Sequence, residues 1–229
     1  MPESPLLYYV TDRKAFPGDE RTRRIRLLDK VAQAASHGVN YIQLREKDLS
    51  TRDLESLARE AGQIIQELRT ENRELRTALL INSRTDIAMA TAAAGVHLRS
   101  RDLSPQEVRD AWHKARGRGP LARELSPPDP VIAVSCHSPE EAVKAAASRA
   151  TFAVFAPIFE KKAAPGTDPA GLDALSQACR AKLPVLALGG ITLRNAESCL
   201  RVGAAGIAAI RLFQENDIAK VVHMLRGQG

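Results

Sequence analysis

Eight short apolar runs, each followed by a stretch with helical spacing, constrain this chain more than any other feature. The runs are LLYYVTD (6–12), YIQLRE (41–46), ALLINS (78–83), GVHLRS (95–100), VIAVSCH (131–137), FAVFAPIF (152–159), PVLALGG (184–190) and GIAAIRLF (206–213). Between them lie segments such as RTRRIRLLDKVAQAASHG and STRDLESLAREAGQIIQELRTEN, whose apolar residues recur three and four positions apart. Strands alternating with helices pair in parallel, and eight such units close into a barrel. An open doubly wound sheet is the competing arrangement, but no dinucleotide-binding glycine fingerprint follows the first strand. The expectation is an α/β fold in which residues 1–229 form a single (β/α)8 TIM barrel of parallel strands.

Local signals agree. Ser50 precedes a helical run, and SPQE (104–107) and SPEE (138–141) each pair a serine N-cap with proline at the first helical position and an acid two residues later. Gly38 and Gly95 stand near expected helix ends. Two stretches, 117–130 and 160–171, are rich in Pro, Gly and charge, and read as surface insertions in one barrel rather than as linkers. In YIQLREK, Ile42 and Leu44 alternate with Gln43, Arg45 and Lys47. A parallel barrel covers both faces of its strands, so these long polar side chains must line the interior up to its mouth.

The C-terminal ends of barrel strands and the loops after them carry the chemistry. Here those ends supply Thr11 and Asp12; Gln43, Arg45 and Lys47; Asn82 and Ser83; His97, with Asp102 beyond; Ser135 and His137; Lys161 and Lys162; Gly189 and Gly190; and Ile210 and Arg211. An excess of cations together with a glycine pair, whose backbone can approach an anion closely, points to a phosphate-bearing substrate. Lys and Arg exceed Asp and Glu by 33 − 27 = 6, but aromatics are only 4% and no nucleic-acid motif accompanies the charge, so nucleic-acid binding is set aside. No apolar run is long enough for a membrane span, and the N-terminus has no secretion-signal pattern. Cys136, Cys179 and Cys199 lack metal-ligand spacing, which suits a reduced, cytoplasmic protein.

The motifs YYVTDR, YIQLREKDLS, INSRTDIAMATAAAGVHL, VSCHSPEEA, APIFEKK, PVLALGGIT and VGAAGIAAIRLF, in this order, resemble the thiamin phosphate synthase and thiazole tautomerase superfamily. The resemblance independently implies a (β/α)8 barrel. For the synthase it implies joining of hydroxymethylpyrimidine diphosphate to thiazole phosphate with release of pyrophosphate. It then casts Gln43, Arg45, Lys47 and Asn82 as holders of the pyrimidine diphosphate, Ser135 as a pyrophosphate contact, and Lys161 or Lys162 as the cover of the leaving group. Asp102 becomes a ligand of Mg2+, and Gly190, Ile210 and Arg211 surround the thiazole phosphate. The oligomeric state stays open, with a homodimer compatible.

Departures from the synthase pattern keep two alternatives in view. Asn82-Ser83 stands where that pattern has Asn-Asp, FEKKAAPGT replaces a Thr-x-Thr-Lys loop, and Arg211 replaces a serine. A metal-independent tautomerase acting on thiazole carboxylate phosphate would instead use His137 as its acid/base group. A catalytically silent binder of a phosphate ligand would use the same pocket. His97 reads as a hydrogen-bonded core residue rather than a catalyst, and Cys136, alternating away from Ser135 and His137, as packing.

Overall fold

A computed structural model describes residues 4–116, 129–160 and 168–227 of the chain. Eight parallel strands, β1 (Leu6–Val10), β2 (Tyr41–Leu44), β3 (Ala78–Asn82), β4 (Gly95–Leu98), β5 (Val131–Cys136), β6 (Phe152–Phe155), β7 (Val185–Ala187) and β8 (Gly206–Ala209), close into a barrel in sequence order. The seam is the β1–β8 pairing, with Leu6 opposite Gly206 and Tyr8 opposite Ala208. Around the barrel run α1 (Glu20–Ser36), α2 (Thr51–Glu71), α3 (Thr85–Ala90), α4 (Pro105–Arg116), α5 (Pro139–Ala147), α6 (Gly171–Ala178), α7 (Ala196–Arg201), α8 (Arg211–Gln214) and α9 (Ile218–Arg226). No helix among the described residues is long and apolar enough to cross a membrane. The greater part of both expected insertions, 117–128 and 161–167, lies outside the described residues.

Period-two alternation sorts the strand residues into two cores. Leu7, Tyr9, Ile42, Leu44, Leu79 and Ile81 pack outward with the apolar stripes of α1 and α2. Tyr8, Leu80, Ala133, Phe152, Val154, Leu186 and Ala208 fill the interior. At the floor, the Tyr41 and Phe152 rings lie 4.7 Å apart and both contact Tyr8 edge-on. The floor is plugged, which leaves the opposite, C-terminal end for a cavity.

The caps form where the sequence places them. Ser50 and Ser138 accept from the amides of Asp53 and Glu141, and Ser104 and Glu107 make a reciprocal capping box. Gly38, at φ +77°, lies just past the end of α1. Gly95 differs from expectation: it opens β4 instead of closing a helix. A Cβ there would fall 1.8 Å from the Val131 carbonyl oxygen, so close strand approach requires the glycine. The strands are also shorter than the apolar runs. The ladder ends at Leu44, Leu98 and Ala209, and the residues that follow, Arg45, Arg99 and Ile210, line the mouth.

Candidate active site

The mouth encloses a cavity of about 680 Å³. From β2 and β3, the buried Gln43 donates through Nε2 to Asn82 Oδ1 (2.8 Å), and Asn82 Nδ2 donates to Ser83 Oγ (3.2 Å). Arg45 and Lys47 line the same wall. The neighbouring Arg45 charge, then burial, then Arg99 hold the Lys47 ammonium below its ordinary pKa. An ammonium held down by neighbouring cations marks a place where an anion is stabilising.

A buried network behind the wall fixes the backbone that carries these side chains. The Arg45 amide donates to Thr11 Oγ1 (3.0 Å), whose hydroxyl donates to Glu46 Oε1 (2.6 Å). Glu46 also accepts from Arg13 Nη1 (3.1 Å), and the Arg13 guanidinium forks onto Asp48 at 2.7 and 2.8 Å. Residues 45–48 thus alternate between the cavity and an anchor, with Glu46 only 4% exposed. The sequence reading missed this network, which joins residues about thirty positions apart.

On the neighbouring strands, Tyr8 Oη lies 2.9 Å from His97 Nδ1, and His97 Nε2 lies 2.7 Å from Ser135 Oγ. Burial holds the Tyr8 hydroxyl well above its ordinary pKa, so it stays protonated and needs an acceptor. Tyr8 therefore donates to Nδ1 and Nε2–H donates to Ser135, which leaves the serine proton for a ligand. His97 is core, as the sequence suggests, but it also lines the cavity.

Burial, then the Arg45 charge, pushes the His97 pKa down to about 3 against the pull of Asp102. Its effect on stability is absent above the unfolded value near 6.5 and grows as pH falls, because the unfolded chain takes a proton that the folded chain refuses. Between pH 7 and 5 this amounts to about 2 kcal/mol at about 1.4 kcal/mol per pH unit. Urea unfolding should show the parent losing that much more stability than His97→Gln over this interval. Equal losses would mean that His97 protonates freely in the folded protein.

His137 stands at the end of β5. Its Nδ1 donates to the Ala156 carbonyl (2.7 Å), so in the neutral ring Nε2 is the nitrogen with the lone pair, and the residue lines the cavity. Cys136 points the other way and is fully buried, its thiol pushed up to about 12 by burial and then by Glu141. Gly189 (φ +103°) and Gly190 (φ +66°) follow β7 at the cavity. Asn195 closes their loop by donating to the Gly190 carbonyl (3.0 Å) and accepting from the Thr192 amide (2.7 Å). Thr192 starts this turn, whereas α7 itself starts four residues later. Ile210 and Arg211, the first residue of α8, complete the mouth.

The fold thus brings together Gln43, Arg45, Lys47, Asn82, Ser135, His137, Gly189, Gly190, Ile210 and Arg211 around one cavity. Lys161 and Lys162 lie outside the described residues. Asp102, read as the Mg2+ ligand, is not on the cavity wall. Its Oδ2 accepts from the Arg99 amide (2.7 Å), its Oδ1 accepts from Arg99 Nη2 (3.1 Å), and its side chain is 12% exposed. Burial pushes its carboxyl up, but Arg99 and the Ser83 hydroxyl outweigh this and hold it below the usual range. Mg2+ takes oxygen ligands in strict octahedral geometry. One carboxylate already forked by an arginine, with a serine where a second would stand, does not suit it. Among the described residues no group of three or more His, Cys, Asp or Glu is arranged to hold a metal.

Residues 7–213 match the family model described as thiamine monophosphate synthase. The chain is 35% identical over 214 residues to a putative thiamine-phosphate synthase 2 of Aquifex aeolicus, covering 93% of this chain and 100% of that protein. It is 37% identical over 211 residues to the thiamine-phosphate synthase of Chlorobium luteolum, covering 91% and 85%. Among solved structures, the thiamine phosphate pyrophosphorylase from Pyrococcus furiosus superposes with a TM-score of 0.73 at 26% identity, covering 96% and 93%. The chain belongs to the thiamine monophosphate synthase family.

Proposed function

We propose that this protein is a thiamin phosphate synthase, joining hydroxymethylpyrimidine diphosphate to thiazole phosphate and releasing pyrophosphate. The observation that carries the reading is one cavity with two separate anion-holding sectors in a chain of this family. Arg45 and Lys47 form one sector, and the Gly189–Gly190 turn with Arg211 forms the other. A single phosphate ligand would need only one of them.

The reaction breaks the bond between the pyrimidine methylene carbon and the diphosphate oxygen, and the electron pair leaves with the diphosphate. The thiazole nitrogen then gives its lone pair to the methylene cation, forming the carbon–nitrogen bond. Negative charge concentrates on the leaving group, so fixed cations aimed at it lower the barrier most. The backbone carrying Arg45 and Lys47 is held by the network beneath it, and Ser135 offers a hydroxyl proton.

The attacking nitrogen carries no proton, so this chemistry asks no base of His137. A tautomerase would depend on it. The relatives at 35% and 37% identity carry the synthase name, and the synthase is the reading taken forward. It fits a single-domain barrel, monomer or homodimer, acting on small phosphorylated substrates in the cytoplasm, where free Cys136, Cys179 and Cys199 stay reduced.

Purified protein supplied with both substrates should form thiamin phosphate and pyrophosphate in equal amounts. His137→Asn should keep that rate within about tenfold. No thiamin phosphate with or without Mg2+ would end the synthase reading. Isomerisation of thiazole carboxylate phosphate abolished in His137→Asn would establish the tautomerase instead.

A further inference from the structure

Four cationic side chains face the cavity from described residues, and the resemblance assigns only three of them a role. The fourth is Arg99, in the turn after β4. Its side chain is 57% exposed, it lines the cavity, and Asp102 holds it through the fork described above. It stands close enough to Lys47 to help depress that ammonium. A guanidinium has five N–H donors, and the contacts to Asp102 use one on Nε and one on Nη2. Three remain for a ligand. Asp102 thus orients a cation toward the cavity and keeps its own charge away from it.

We propose that Arg99 is a diphosphate-binding residue, and that Arg45, Lys47 and Arg99 together supply the charge neutralisation that a carboxylate-held Mg2+ would otherwise supply. The proposal rests on the synthase reading for the identity of the ligand. Its physical basis is the mismatch between donors and metal. Both Asp102 oxygens already accept from Arg99. A dication brought to them would displace or face a fixed positive charge. Ser83, held at φ +60° and engaged by Asn82, contributes no second negative charge. The cradle is built for an anion that arrives without a metal, and a planar guanidinium grips two phosphate oxygens at once.

Inorganic pyrophosphate is the probe, measured by calorimetry in EDTA and again in excess Mg2+. The parent should bind it in EDTA within about threefold of its affinity in Mg2+. Arg99→Gln should weaken binding in EDTA tenfold to a hundredfold, and Arg99→Lys should recover part of the loss because it keeps the charge without the fork. A double variant, Arg99→Gln with Ser83→Asp, frees one carboxylate and adds another, and its pyrophosphate binding should become Mg2+-dependent. Arg99 is a surface side chain, so these variants should melt within a few degrees of the parent. Binding seen only with Mg2+, lost in Asp102→Asn and untouched in Arg99→Gln, would overturn the proposal. So would failure of the parent to bind pyrophosphate in either buffer. The synthesis assay separates the two levels: thiamin phosphate formed alongside strictly Mg2+-dependent pyrophosphate binding removes the role of Arg99 and leaves the synthase standing.

Discussion

Arg45→Gln is expected to lower kcat/KM for the pyrimidine diphosphate by about 10² to 10³, with the folded protein intact. The size follows from where Arg45 sits and how it is held. Its backbone amide is tied to Thr11, Thr11 to Glu46, and Glu46 to Arg13. The backbone that carries Arg45 is therefore fixed before substrate arrives, and less of the site has to order when charge builds on the leaving oxygen. Glutamine keeps the stem and some hydrogen bonding but removes the charge, so the loss should appear in kcat as well as KM. Arg45→Lys should recover part of it, since a point charge replaces a planar fork. The check is steady-state kinetics with each substrate varied in turn, the thiazole phosphate KM serving as internal control. An unchanged kcat/KM would mean that Arg45 faces solvent rather than substrate.

The barrel was legible in the sequence because its two periodicities are local. Alternation in YIQL and three-four spacing in α2 each arise within a few residues, and eight repeats of the pair leave little choice of architecture. The candidate pocket was legible for the same reason, since strand ends converge once the fold is known. What stayed hidden depends on choices among partners. Nothing in the sequence marks Glu46, yet it is buried beneath Arg13 because β1 and β2 pair with Val10 opposite Gln43. Asp102 could cap a loop or hold a metal, and only the fold of residues 99–102 puts Arg99 across its carboxylate. Gly95 looked like a helix stop because spacing along the chain cannot report how closely the next strand approaches.

Gly190→Ala should fail in a complementary way, raising the KM for thiazole phosphate about 10² while changing that for the pyrimidine diphosphate by less than threefold. Two effects combine at this position. Gly190 sits at φ +66°, where an L side chain costs about 1–2 kcal/mol. A Cβ there would also lie 2.7 Å from both the Glu160 carbonyl oxygen and Phe159 Cβ, atoms that belong to the loop after β6. That loop is stitched to the glycine turn by hydrogen bonds from Ile158 to Leu188 and from Phe159 to Gly189, both 3.0 Å, so it cannot retreat alone. The turn must shift instead, and its amides then leave the positions from which they meet a phosphate. The disturbance is confined to the β6–β7 side of the mouth, whereas Arg45 and Lys47 hang from the Thr11–Glu46–Arg13 anchor on the other side. This is why the two Michaelis constants should separate. If both rise together, the two anion sectors are mechanically one, and the assignment of thiazole phosphate to the glycine turn loses its support.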